Sequence, residues 1–177
     1  MSYRSIIITC EHAGNVVPEK YISLFAGTEE VLKSHRGWDP GAFEVATGLA
    51  DQLHAPLFSM AITRLLIEMN RSLDSAALFS EFTSALSPNE KTTLIAEFYS
   101  PYYHSIEEVI LQSEKPTLHL SIHSFTPVFN GTPRFVDIGL LFDPASIQEK
   151  EFCVRVKKML DHQLPEFKTV FNEPYKG

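Results

Sequence analysis

Apolar positions along this chain recur with two different periods. Ser5–Cys10 is a short, largely β-branched run that ends at His12-Ala13-Gly14-Asn15, which predicts a buried strand followed by a turn. Residues 41–53 instead place Ala42, Val45, Ala46, Leu49 and Leu53 at helical spacing, with Asp39 as N-cap and Pro40 in the first turn. Residues 56–61 and 64–69 read as two short strands, and 72–87, rich in small and polar residues, as a loop or lid. Ser87-Pro88-Asn89-Glu90 has the form of a capping box and predicts a helix running to about 113, with Pro101 as a kink. Strands follow at 117–123 and 136–142. Asp143-Pro144 repeats the cap-plus-proline device before a helix over 146–162, and Thr169–Phe171 starts a further strand. Strands alternating with helices predict an α/β domain around a mainly parallel or mixed sheet.

Composition narrows what such a domain does. The chain has 177 residues, enough for one sizeable core. With 44% hydrophobic and 21% charged residues it resembles ordinary globular proteins. The formal net charge is −7 and no Lys/Arg cluster runs along any segment, so nucleic acid is not an expected partner. No apolar run approaches the ~18 residues of a membrane span. Met1-Ser2-Tyr3-Arg4 lacks the form of a signal peptide, so the expected location is the cytoplasm. Two cysteines, Cys10 and Cys153, do not make a disulfide framework and are expected reduced and buried.

In open α/β sheets ligands bind beyond the carboxyl ends of the strands. Three polar clusters follow predicted strands: Cys10-Glu11-His12-Ala13-Gly14-Asn15, Glu68-Met69-Asn70-Arg71 and Ser121-Ile122-His123-Ser124-Phe125-Thr126-Pro127. A fourth, His35-Arg36-Gly37-Trp38-Asp39-Pro40-Gly41-Ala42, opens a helix. A catalytic zinc takes three protein ligands and leaves a position open. His12 and His123 suit that role, with Asp39 first and His35 or Glu11 next as the third ligand. Each residue also has a plainer reading: a hydrogen-bonded histidine at a strand end, an N-cap for Asp39, surface ion pairs for Arg71 and Arg134, and a surface or core position for His104. Asn70-Arg71 directly after a strand suits a carboxylate clamp, because the guanidinium fork matches a carboxylate. No serine sits in a G-x-S-x-G elbow, and there is no Walker A loop, G-x-G-x-x-G or CxxC pair.

Read in order, Glu11-His12-Ala13-Gly14-Asn15 with Val17-Pro18, Gly37-Trp38-Asp39-Pro40-Gly41-Ala42, Glu68-Met69-Asn70-Arg71, Tyr103-His104, Ile122-His123-Ser124-Phe125-Thr126-Pro127 and Asp137-Ile138-Gly139-Leu140-Leu141 resemble the N-formylglutamate amidohydrolase family. The resemblance implies a zinc-carboxypeptidase-like α/β fold, a three-layer sandwich around a parallel or mixed sheet. It implies hydrolysis of a small-molecule N-acyl amino acid, with N-formyl-L-glutamate giving formate and glutamate as the type reaction. It makes His12, His123 and Asp39 the ligands of zinc or another divalent metal. Asn70, Arg71 and Ser124 become substrate-binding residues, and Arg134 serves a second carboxylate or the oxyanion. Related carboxypeptidases carry His-x-x-Glu at the first ligand site, whereas Asn15 stands three residues after His12. In that fold a late Glu is the general base. Because the chain ends at Gly177, one amidohydrolase domain lacking its C-terminal part is expected; otherwise Glu173 takes the role of base, or the chain is a reduced homologue without full activity. The alternatives are an amidase acting on another N-acyl amino acid or a cell-wall peptide amide, and a binding homologue without turnover.

Overall fold

A computed structural model describes residues 5–175. The leader positions Met1–Arg4 and the terminal Gly177 invoked above lie outside the described residues. The chain divides between Phe125 and Thr126 into two compact units.

The first unit is built on β1 (Ser5–Cys10), the central strand of a three-stranded sheet. β2 (Leu57–Ser59) pairs parallel on one side, with Ile8 opposite Leu57. β3 (Thr117–Ser121) pairs parallel on the other, with Ser5 opposite Thr117. Alternation along β1 divides its side chains between the faces. Ile7 joins a large cluster with Leu66, Ile67, Met69, Leu94, Tyr102 and Ile106. Ile8 and Cys10 join a second cluster with Ala42, Ala46 and Ala50. Burial on both faces explains why β1 reads as a continuous apolar run rather than an alternating one.

Each face has its helices. After α1 (Glu29–Lys33), α2 (Ala42–Leu53) supplies the alanine stripe. Its buried positions are Ala42, Ala46 and Ala50, whereas Val45 and Leu53, expected on the inner face, are exposed. Small side chains let this helix approach the sheet closely. Its N-cap is Gly41, at φ 83°, and not Asp39. The capping role is therefore corrected: the Asp39 carboxylate is taken by His12, His123 and Arg64. On the other face, α3 (Pro88–Leu94) begins with the expected box, in which Ser87 Oγ accepts from Glu90 N and the Glu90 carboxylate accepts from Ser87 N. A π-helical turn (Ile95–Tyr99) then leads into α4 (Ser100–Leu111). Pro101 has no N–H to donate, and the chain widens by one residue just before it, with Ser100 N donating to Ile95 O.

The run 64–69 is not a strand. It is a turn whose Leu65, Leu66, Ile67 and Met69 are buried, held by Arg64 N to Gly37 O and Glu68 N to Leu78 O. Backbone groups committed to those partners cannot form a ladder.

In the second unit, β4 (Val128–Phe129) and β5 (Thr132–Pro133) form a hairpin across Asn130-Gly131, both at positive φ. Asn-Gly is the pair that such a turn favours. β6 (Ile138–Leu140) pairs parallel with β7 (Thr169–Phe171), joined through α5 (Ile147–Gln163). The N-cap of α5 is Ser146; Asp143 instead accepts from Ala145 N two residues on. Cys10 and Cys153 are free and buried. No helix among the described residues is long and apolar enough to cross a membrane.

Candidate metal centre

Three parallel strands bring their carboxyl ends to one edge of the sheet, and two of the expected side chains emerge just beyond it. The chain leaves β1 into a turn that carries Glu11 and His12. That turn is fixed to the segment after β2 by Met60 N to Cys10 O, Ala13 N to Met60 O and Val16 N to Ala61 O. Gly14 is required by this close approach, since a Cβ there would lie 2.7 Å from Ala61 O. β3 delivers Ser121 and then His123, while Asp39 N donates to His12 O, which draws the loop before α2 to the same place.

His12 Nδ1, Asp39 Oδ2 and His123 Nδ1 form a near-equilateral triangle. The sides are 3.3 Å from His12 to Asp39, 2.9 Å from His123 to Asp39 and 3.2 Å between the two imidazole nitrogens. Donors around a tetrahedral zinc with ~2.0–2.1 Å bonds stand about 3.3 Å apart, so the triangle matches one face of that tetrahedron. These three residues form a group able to hold a metal ion. His12 and Asp39 are buried, while the His123 side chain remains 29% exposed, so the site is open to solvent on that side.

Outside the triangle every remaining polar atom is occupied. His12 Nε2 meets Glu68 Oε1. Glu68 is held in turn by Arg64 Nε at 2.8 Å and by Asn70 N at 2.9 Å. Arg64 also reaches Asp39 Oδ1 at 3.3 Å, so one guanidinium steadies two carboxylates. His123 Nε2 lies 3.3 Å from Glu11 Oε2 and 2.9 Å from Ser121 Oγ, which itself donates to Glu11 at 2.8 Å. Each histidine is thus backed by a carboxylate, the arrangement that fixes tautomer and ring orientation in metal sites.

Electrostatics follow from these contacts. Burial pushes the Glu11 carboxyl up, but hydrogen bonds from His123, Thr9 and Ser121 outweigh it and hold the pKa at about 2. Burial likewise opposes ionisation of Glu68, yet His12 and Arg64 bring it to about 2. Burial raises Asp39 too, and the two histidines still hold it well below the usual carboxylate range. For His123 desolvation lowers the pKa, while Asp39 and Glu11 raise it to a net value of about 9. Three ionised carboxylates converge on this pocket and favour a cation in it.

Of the other expected site residues, Asn70 is exposed at the rim, its Nδ2 3.4 Å from His123 Nε2. Arg71 follows it, also exposed. Ser124 turns its hydroxyl to Pro40 O at 2.8 Å and gives its backbone N–H to Asp39. His35 is not in the triangle; its Nε2 meets Ser124 Oγ at 3.2 Å. His104 pairs with Glu108 on the exposed face of α4. Arg134 and Glu173 belong to the second unit. There the Arg134 guanidinium lies over the rings of Phe129 and Tyr175, at 4.7 and 5.1 Å, and bonds the Tyr175 hydroxyl at 3.2 Å. Arg64 and Glu68 as partners were not anticipated from the sequence. Their i, i+4 separation ahead of Asn70-Arg71 is the available signal, and it is a helical or turn spacing that a strand over 64–69 hides.

A search of curated proteins gives no match. A solved structure, the crystal structure of gene product Atu2144 from Agrobacterium tumefaciens, is similar to this chain with a TM-score of 0.84 at 28% sequence identity, covering 97% of this chain and 70% of that one. The family model for N-formylglutamate amidohydrolase matches residues 4–177. Matched over nearly its whole length, the chain belongs to the N-formylglutamate amidohydrolase family.

Proposed function

We propose that this chain is a metal-dependent amidohydrolase that cleaves N-formyl-L-glutamate to formate and L-glutamate, with a zinc-carboxypeptidase-like arrangement of layers. Membership of an amidohydrolase family supports the reaction class and a small-molecule substrate. The observation that carries the metal is the triangle of His12 Nδ1, Asp39 Oδ2 and His123 Nδ1, whose sides fit one face of a tetrahedron. Once His123 gives up the proton that Asp39 and Glu11 hold on it, two neutral nitrogens and one carboxylate oxygen make the donor set of a catalytic zinc, and three donors leave a position for chemistry.

When bound, the ion supplies a Lewis acid that polarises the formyl carbonyl and acidifies water. The chain's own residues do the rest. His12 and His123 are kept with their Nδ1 atoms inward by Glu68 and Glu11. Asp39 is held by Arg64 so that Oδ2 faces the histidines. Asn70, with its amide beside His123, and Arg71 grip the substrate carboxylate at the rim. Water adds to the formyl carbon, the C–N bond breaks and the amine nitrogen takes up a proton as formate forms.

The test compares wild type with His123→Ala. Wild type binds about one equivalent of zinc and releases formate from N-formyl-L-glutamate. The variant loses both. Unchanged zinc content together with unchanged hydrolysis in the variant would rule the proposal out.

A further inference from the structure

Beside the metal ligands, a short exposed turn carries Asn70 and Arg71, and something must hold it still. A gripping residue is useful only when its backbone is fixed within a fraction of an ångström. On one side, Asn70 N donates to Glu68 Oε1 at 2.9 Å. On the other, the two carbonyls that bracket Asn70 each receive a tyrosine hydroxyl. Tyr103 Oη donates to Met69 O at 2.6 Å, and Tyr99 Oη donates to Arg71 O at 2.8 Å. Packing does little beyond that point: Ser72 and Leu73 line an open cleft of about 570 Å3, and Leu73 is 54% exposed.

The placement of the two tyrosines is itself unusual. Tyr99 is the last residue of the π-helical turn and Tyr103 lies four residues on, in the first turns of α4. Their rings contact at 4.6 Å, and Tyr102 meets Tyr103 edge-on at 5.5 Å. Single π turns inside helices occur frequently at functional sites, because the extra residue re-aims the side chains around it. Here the side chains at and after the turn point their hydroxyls at one dipeptide's flanks.

We propose that Tyr99 and Tyr103 are positioning residues for substrate binding: their hydroxyls clamp the Met69 and Arg71 carbonyls and so fix Asn70 against the metal-site histidine. The inference rests on the reading of Asn70 and Arg71 as the substrate grip. The clamp touches neither substrate nor metal ligand. Its loss therefore weakens substrate binding without emptying the metal site.

The experiment uses the zinc-loaded full chain. Tyr99→Phe, Tyr103→Phe and the double variant keep the rings and remove only the hydroxyls, with Asn70→Ala alongside. Zinc content is measured for each, with KM and kcat for N-formyl-L-glutamate and the Kd of L-glutamate by calorimetry. Each single Phe variant raises KM and Kd about threefold to tenfold, the range that one net hydrogen bond commands. The double variant exceeds either, with zinc content unchanged and kcat within about twofold. A tyrosine that merely stabilised the fold would lower Tm without this split between KM and kcat. If Asn70→Ala weakens binding and the Phe variants do not, the clamp is overturned and the substrate grip stands. If the Phe variants lose zinc or kcat in step with KM, the clamp is overturned, because they act on the metal cluster. If Asn70→Ala changes nothing, or wild type neither binds nor hydrolyses, the grip falls and takes the clamp with it.

Discussion

At the scale of single residues, His12 shows how the centre is assembled. Its side chain is fully buried, and a buried imidazole must have both ring nitrogens satisfied. Nδ1 faces Asp39 and His123, and Nε2 faces Glu68, so the ring cannot turn over without losing both sets of contacts. Glu68 is thereby the residue that chooses which nitrogen looks inward. Glu68→Gln keeps the shape and can still accept a hydrogen bond, but it removes the charge that strengthens the imidazole as a ligand. Competition with a chelator is expected to show zinc held 10- to 100-fold more weakly, with the far-ultraviolet circular dichroism unchanged. Equal affinity in the variant would mean that the carboxylate does not support the ligand. Asp39 marks where residue-level reading stops. Asp-Pro before an apolar helix is a good N-cap signature, and the same two residues occur whether the carboxylate caps a helix or faces a metal. What separates the two roles is a left-handed Gly41 that starts the helix two residues later and three partners brought from 12, 64 and 123.

At the scale of elements, the strand that carries the site was legible because its physics is local. A β-branched run buried on both faces has one reading, and β1, together with β3 and α5, follows the pattern of the chain closely. The run 64–69 is also apolar through its middle, though Leu-rich and flanked by charge, and is no strand. Its apolar side chains are buried as expected, but its backbone bonds go to Gly37 and Leu78, partners that periodicity cannot reveal. The Asn130-Gly131 hairpin is the opposite case, a turn whose signal is local and present in the sequence. α2 illustrates how an element's composition sets its distance from the sheet. Its inner stripe is Ala42, Ala46 and Ala50, packed against Ile8 and Cys10, and Cys10 is two residues from His12. Ala46 is wholly buried. Ala46→Leu inserts three carbon atoms where there is no room, which costs about 1–3 kcal/mol. Urea unfolding is expected to show a lower midpoint at constant slope. An unchanged midpoint would mean that the helix and sheet are less closely packed than described.

At the scale of the molecule, the centre lies within one unit and depends on residues spread from 11 to 123. Long-range closure of this kind is why the cluster was only partly visible in the sequence. The polar groups could be placed at strand ends, but their mutual distances and their supporting carboxylates follow from the assembled sheet. On the proposed reading, the same closure would make a bound metal a cross-link. A ligand that binds the folded chain and not the unfolded one stabilises by RT ln(1 + [L]/Kd), about 2.7 kcal/mol when free zinc exceeds Kd a hundredfold. For a chain of this size that is a rise of about 5–10 °C in Tm. Thermal unfolding of the full chain, first stripped with a chelator and then titrated with zinc, is expected to show that rise for wild type. His123→Ala is expected to show none, because it removes one corner of the triangle. A zinc-dependent rise that survives in His123→Ala would place the ion elsewhere in the molecule.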